Sequence, residues 1–160
     1  MDAIDRVIRQ WDEEIPELET QSMALLGRLA RLYKHMETDI TALHRSYGLT
    51  TGEFDVLATL KRSGAPYQLT PSALIESMML TSGAMTNRID KLESKALISR
   101  THSEQDRRSV TVELTSKGLE LINELIFEHV NTQKRLTQSL DKSQVTGLNQ
   151  LMKQWLSQFE

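Results

Sequence analysis

The chain contains no cysteine, which removes disulfide frameworks, thiolate zinc sites, thiol nucleophiles and thiol redox sensing together. It also lacks any apolar run approaching the roughly 20 residues that span a bilayer. The N-terminal Met1-Asp2-Ala3-Ile4-Asp5-Arg6 does not have the basic-then-apolar order of a signal peptide, so a soluble cytoplasmic protein with no membrane role is expected. There is no surplus of positive charge: 19 Lys and Arg stand against 22 Asp and Glu, a net of −3. The molecule as a whole is therefore not a polycation that coats nucleic acid, and any such contact must use local charge. His35, His44, His102 and His129 show no metal-site spacing, and no glycine-rich phosphate loop occurs. Neither catalysis, nor a metal, nor a cofactor is expected.

What remains, 160 residues with 39 % apolar and 26 % charged side chains, is the composition of one ordinary globular domain. Ile4, Val7, Ile8 and Trp11 recur at helical spacing and Pro16 closes that segment, so the spacing predicts a short amphipathic helix over 2–14. From Leu18 to Tyr47 the apolar positions step by three or four, a long helix ended by Gly48. Thr50 and Glu53 then form a capping box, with Leu49 placed to staple to Phe54. The same grammar recurs at Thr70-Pro71, with Leu69 against Leu74, and at Thr81, with Leu80 against Met85. Two short helices in succession, with Met79 and Leu80 left for the turn, define a helix-turn-helix.

After Leu97 the period changes. Val110, Val112 and Leu114 alternate with polar residues, and 97–102 can pair with them as a hairpin. The connection Ser103-Glu104-Gln105-Asp106-Arg107-Arg108 is longer and more charged than a tight turn needs, so it should project. Thr115 caps a helix running to about Gln138, and Asp141-x-x-Gln144 is a capping box for a last one carrying Val145, Leu148, Leu151, Trp155, Leu156 and Phe159. The fold class is mainly α: a winged helix-turn-helix over 49–115, with a small β-hairpin wing. The outer segments 1–48 and 116–160 supply helices too apolar for one small domain to cover, and mutual burial in a homodimer is the economical answer.

A winged helix suits duplex DNA, because its second helix fits a major groove while a wing arginine enters the narrow minor groove. Residues 81–109 hold six basic side chains against four acidic ones, net +2, whereas 1–80 total −4 and 110–160 total −1. The only positive segment is the predicted reader. Met85, Ile89 and Leu92 should point to the core, leaving Gly83, Asn87 and Asp90 outward with Thr86 and Lys91 beside them. The candidate DNA contacts are Ser82, Thr86, Asn87, Arg88 and Lys91 on the helix and Asp106, Arg107 and Arg108 on the wing, where the aspartate can orient a guanidinium. Arg88 falls on the flank and could serve either the groove or the protein interior. A dimer would present two such helices about 34 Å apart on a pseudo-palindromic operator.

At Tyr47-Gly-Leu-Thr-Thr-Gly-Glu-Phe-Asp-Val-Leu, at Leu80-Thr-Ser-Gly-Ala-Met-Thr-Asn-Arg-Ile-Asp-Lys-Leu-Glu and, most specifically, at Asp106-Arg-Arg-Ser-Val-Thr-Val-Glu-Leu-Thr-Ser-Lys-Gly118, the sequence resembles the MarR family of dimeric winged-helix regulators over roughly 23–159. The resemblance implies about six helices with a small hairpin, homodimerisation through both termini, and repression relieved by a small aromatic or anionic ligand. A narrower likeness is to urate-responsive members. Those carry a Trp in an extra N-terminal helix, an Asp early in the helix before the reader, an Arg in the reader and an Arg in the first wing strand; Trp11, Asp55, Arg88 and Arg100 stand in those contexts. This implies an effector such as urate or another purine. An indole face and donor, a carboxylate acceptor and a guanidinium fork form a coherent set for one. Each residue also has a plainer reading: Trp11 as packing, Asp55 as a favourable charge at a helix N-terminus, Arg100 as the partner of a neighbouring acid. The main rival to DNA binding is a ligand-independent winged-helix protein-interaction module, which would expose apolar anchors on the second helix rather than Thr86, Asn87 and Lys91.

Overall fold

A computed structural model describes residues 1–78, 82–102 and 110–160, with the backbone alone at 82 and 102. The described residues fall into two compact units, 1–39 and 40–160.

In the first unit, α1 (Ala3–Glu14) starts on a capping box in which the Asp2 carboxylate accepts from the backbone N–H groups of Ile4 and Asp5 while Asp5 accepts from that of Asp2. Arg28, on α2 (Gln21–Ser46), donates its Nε to Asp2 at 2.9 Å and a terminal nitrogen to Asp5. These hydrogen bonds, first from the Asp5 backbone and then from Arg28, hold the Asp2 carboxyl below the usual carboxylate range. The long helix is three residues shorter at its start than the apolar spacing predicts.

The second unit is organised around α3 (Thr51–Arg62). The expected box at its start is present: Thr50 Oγ1 accepts from Glu53 N at 3.2 Å, and Glu53 Oε2 accepts from Thr50 N at 2.7 Å. Next come β1 (Gln68–Leu69), α4 (Pro71–Met78), α5 (Ser82–Ser94), β2 (Ile98–His102), β3 (Val110–Leu114), α6 (Ser116–Leu136) and α7 (Lys142–Leu156). The hairpin pairs antiparallel from Ile98↔Leu114 to His102↔Val110, as the alternation predicts. A third strand does not follow from the sequence: β1 pairs antiparallel with the other edge of β3, Gln68↔Glu113 and Leu69↔Val112, giving the order β1-β3-β2. Two residues are too few to show a period of two. The last helix ends at Leu156, so Phe159 lies beyond it rather than within it. The Thr81 cap, the turn at Met79 and Leu80, and the projecting loop fall outside the described residues.

Leu57, Leu60, Leu74, Leu92, Val112, Ile122 and Leu125 have no exposed surface, and with Met85, Ile89 and Ile98 they fuse α3, α4, α5, the sheet and α6 into one core. Burial of each large side chain is worth about 1.5–3 kcal/mol. Two devices set the reader against this core. Lys95, just past α5, donates to both Glu53 carboxylate oxygens at 2.9 Å and to the Gly48 carbonyl at 2.8 Å. Burial pushes the Glu53 carboxyl up, but Lys95 and the Thr50 backbone outweigh it and hold the group ionised below its ordinary value. At the root of the wing, a Cβ on Gly118 would lie 1.9 Å from the Leu97 carbonyl oxygen, so only glycine lets α6 approach β2 this closely.

Candidate DNA interface and the polar cluster behind it

Helix α5 divides as its spacing predicts. Met85, Ile89 and Leu92 are buried, whereas Gly83, Thr86, Asn87, Asp90 and Lys91 are exposed. Among these, Thr86, Asn87 and Lys91 offer a hydroxyl, an amide and an ammonium, groups able to reach base edges and phosphates. The side chain of Ser82 and the whole of Asp106, Arg107 and Arg108 lie outside the described residues.

Arg88 goes to the interior flank rather than the exposed face. It is half-buried, and its guanidinium lies over the first turn of α3 so closely that a Cβ on Gly52 would sit 2.4 Å from Nε and 2.8 Å from one terminal nitrogen. The other, Nη1, is buried and has no hydrogen-bond partner among the described residues. An unsatisfied N–H on a charged group costs on the order of a few kcal/mol. Asp55, one turn further along α3, is half-buried too. Burial raises its carboxyl above the ordinary value, against the pull of Arg88 and His129.

A chain of hydrogen bonds runs beside these two residues. Gln133 Nε2, a donor, lies 2.9 Å from His129 Nε2; His129 Nδ1 lies 3.2 Å from His44 Nε2; His44 Nδ1 lies 3.3 Å from Thr51 Oγ1. With the Gln133 amide nitrogen as donor to His129, each imidazole accepts on one nitrogen and donates from the other along the chain to Thr51. Phe54 stacks on His44 at 4.1 Å and on His129 at 4.6 Å between ring centroids. Burial, and then the neighbouring His129, push His44 down to about 4; burial also lowers His129, although Asp55 opposes it. Sequence reasoning missed this cluster. The signal available was the helical step Ile122, Leu125, His129, Thr132, which carries the buried face of α6 through two polar residues.

Of the other ligand candidates, Trp11 lies on α1 with 39 % of its surface exposed. Arg100, in the middle of β2, is bonded through Nη2 to Asp90, and its Nη1 lies 3.6 Å from Glu93. The structure thus joins Asp55 and Arg88 electrostatically and places Arg100 among acids of α5. Among the described residues no three His, Asp or Glu side chains converge as a metal-binding set, and no helix is long and apolar enough to cross a membrane.

Residues 49–110 match the MarR family. The chain is 34 % identical over 149 residues to the HTH-type transcriptional regulator PecS of Dickeya dadantii, a match covering 93 % of this chain and 90 % of PecS. Its fold is similar to that of a mutant MarR from Escherichia coli complexed with operator DNA, with a TM-score of 0.70 and 26 % identity over 91 % of this chain and 97 % of that one. It also resembles AbsC, a MarR family transcriptional regulator from Streptomyces coelicolor, with a TM-score of 0.76 over 89 % of this chain and 95 % of that one; at 22 % identity this is a likeness of fold.

Proposed function

Because this chain belongs to the MarR family of winged-helix transcription regulators, and so is a DNA-binding regulator rather than an enzyme, we propose that it is a cytoplasmic, sequence-specific homodimeric repressor that a small anionic ligand releases from its operator. The observation that carries the DNA-binding part is the division of α5: three apolar residues anchored in the core and an outer face of Thr86, Asn87 and Lys91 that, among the described residues, exposes no large apolar side chain. A protein-docking surface would expose aromatic or aliphatic side chains there. Ser82 and the wing residues Asp106, Arg107 and Arg108 complete the proposed contact. The dimer is supported by large apolar side chains left exposed in each unit, among them Leu25 and Leu32 in the first and Leu151 and Phe159 in the second, 56–74 % exposed. Such surface is what a second copy covers.

The ligand part rests on Arg88, whose buried Nη1 has no hydrogen-bond partner among the described residues and whose charge acts on the half-buried Asp55. A planar anion with ring N–H groups, urate or a related purine, offers an oxygen to the guanidinium and a donor to the carboxylate. Occupation would alter how the reader is held, with a coupling of typically 1–3 kcal/mol between ligand and DNA. Trp11 and Arg100 are the further residues proposed for this role.

Two measurements test the reading. Affinity for a duplex should fall steeply with ionic strength, and Asn87→Ala with Lys91→Ala should weaken it on the order of tenfold or more; a flat salt response favours the protein-interaction module. Titration with urate and xanthine, followed by Trp11 fluorescence, should saturate and should fail in Asp55→Asn. Absence of saturable quenching by either purine removes the ligand branch while leaving DNA binding intact.

A further inference from the structure

The sign of the charge that α5 presents outward is not set by α5 alone. Its ionisable residues are Arg88, Asp90, Lys91 and Glu93. With Arg88 turned over Gly52, the outer surface is left with one cation, Lys91, and two carboxylates. Asp90 is three residues from Asn87, hence on the same outward face, and its side chain is 56 % exposed; that of Glu93 is 42 % exposed. A helix entering a groove lined by phosphates in this state would carry a net negative charge. Arg100 cancels that charge. It projects from β2, the strand next to α5 in the chain, bonds Asp90 through Nη2 and brings Nη1 to 3.6 Å from Glu93.

We propose that Arg100 is a positioning residue for DNA binding: by pairing with Asp90 and Glu93 it masks the carboxylates of the reading helix and ties the first wing strand to that helix. This role rests on α5 being the DNA-contacting element and requires no small ligand. The pair is exposed, so it adds little to folding stability. Its weight appears when phosphates approach, because uncompensated carboxylates are then repelled at distances shorter than the screening length, roughly 10 Å at 0.1 M salt. An anion that drew Arg100 away from Asp90 and Glu93 would unmask them in the same way.

The test uses the full-length protein, a duplex carrying the site it selects from genomic fragments, and thermal melts as a folding control. Wild-type protein is measured first: if it binds no duplex, the reading of α5 fails, whatever Arg100 does. If it binds, Arg100→Ala should weaken affinity about tenfold at low salt, with the deficit shrinking as salt rises. Arg100→Lys should stay within about threefold of wild type. Adding Asp90→Asn and Glu93→Gln to Arg100→Ala should restore affinity to within about twofold, and the two neutralisations alone should bind at least as tightly as wild type. Unchanged binding by Arg100→Ala overturns the proposal. So does failure of the neutralisations to rescue it, which would make Arg100 a direct phosphate contact, and so does weaker binding by the neutralised protein alone.

Discussion

The two sides of α3 are built from opposite materials. On one, Val56, Leu57 and Leu60 have no exposed surface and meet Leu74, Leu92 and Val112 in the apolar core. On the other, Thr51 meets the His44–His129–Gln133 chain, the Arg88 guanidinium lies over Gly52 and Asp55 is half-buried; among the described residues Arg88 Nη1 has no hydrogen-bond partner. The apolar side holds the winged lobe together. The polar side is where the molecule keeps groups able to respond to charge.

Breaking the apolar side should have the largest effect. Leu92→Ala should cost about 3 kcal/mol and lower the melting temperature by about 10 °C in a calorimetric scan, with the reader displaced because Leu92 anchors α5. The polar side should fail instead with acid. His44 is held at about 4 in the folded chain against 6.5 unfolded, so the unfolded chain binds more protons between those values. The stabilisation is complete above pH 6.5, declines as pH falls through that window and is gone near pH 4, a loss of about 3 kcal/mol from the shift. Asp55 opposes this, since its raised carboxyl takes up a proton earlier in the folded chain than in the unfolded one. Urea titrations at pH 7 and pH 5 should show the decline, and His44→Phe should flatten it.

Leu151→Glu, a change at a side chain 65 % exposed, should leave monomer folding within about 0.5 kcal/mol yet weaken self-association by at least tenfold in sedimentation. Equal effects at Leu92 and Leu151 would erase the distinction between a core and a face awaiting a partner. Smallest is Gly52→Ala. Its methyl would meet Arg88 Nε at 2.4 Å, and because the obstacle is a flexible side chain the cost should be about 1 kcal/mol. The guanidinium would have to move, and the signature is altered ligand or DNA affinity with a melt lowered by only about 2–4 °C.

What could be read from the sequence was whatever is enforced locally. The boxes at Thr50–Glu53 and Asp141–Gln144, and the Thr115 cap, each join residues three apart and appear where expected. The change of period at Val110 revealed the wing strand, and the helical step of α5 separated its buried from its exposed residues. What could not be read depends on partners far along the chain. His44 meets His129 across 85 positions, and a single polar residue on an apolar stripe does not announce its partner. Arg88 sits where the helical angle alone allowed two directions, and packing against Gly52 resolves them. For Arg100, pairing with a neighbouring acid was one of two readings. The structure places it beside Asp90 and Glu93, residues of the helix it follows, so a residue considered for ligand is also bound up with the reader.

The central claim, that paired copies present α5 to duplex DNA, is tested most directly by selecting bound fragments from a genomic library with the purified full-length protein and sequencing them. The account predicts an enriched pseudo-palindrome with half-sites one helical turn apart, about 34 Å between centres, and loss of that enrichment in Asn87→Ala with Lys91→Ala. Recovery of no common sequence, or the same sequence with equal enrichment by the substituted protein, would contradict it.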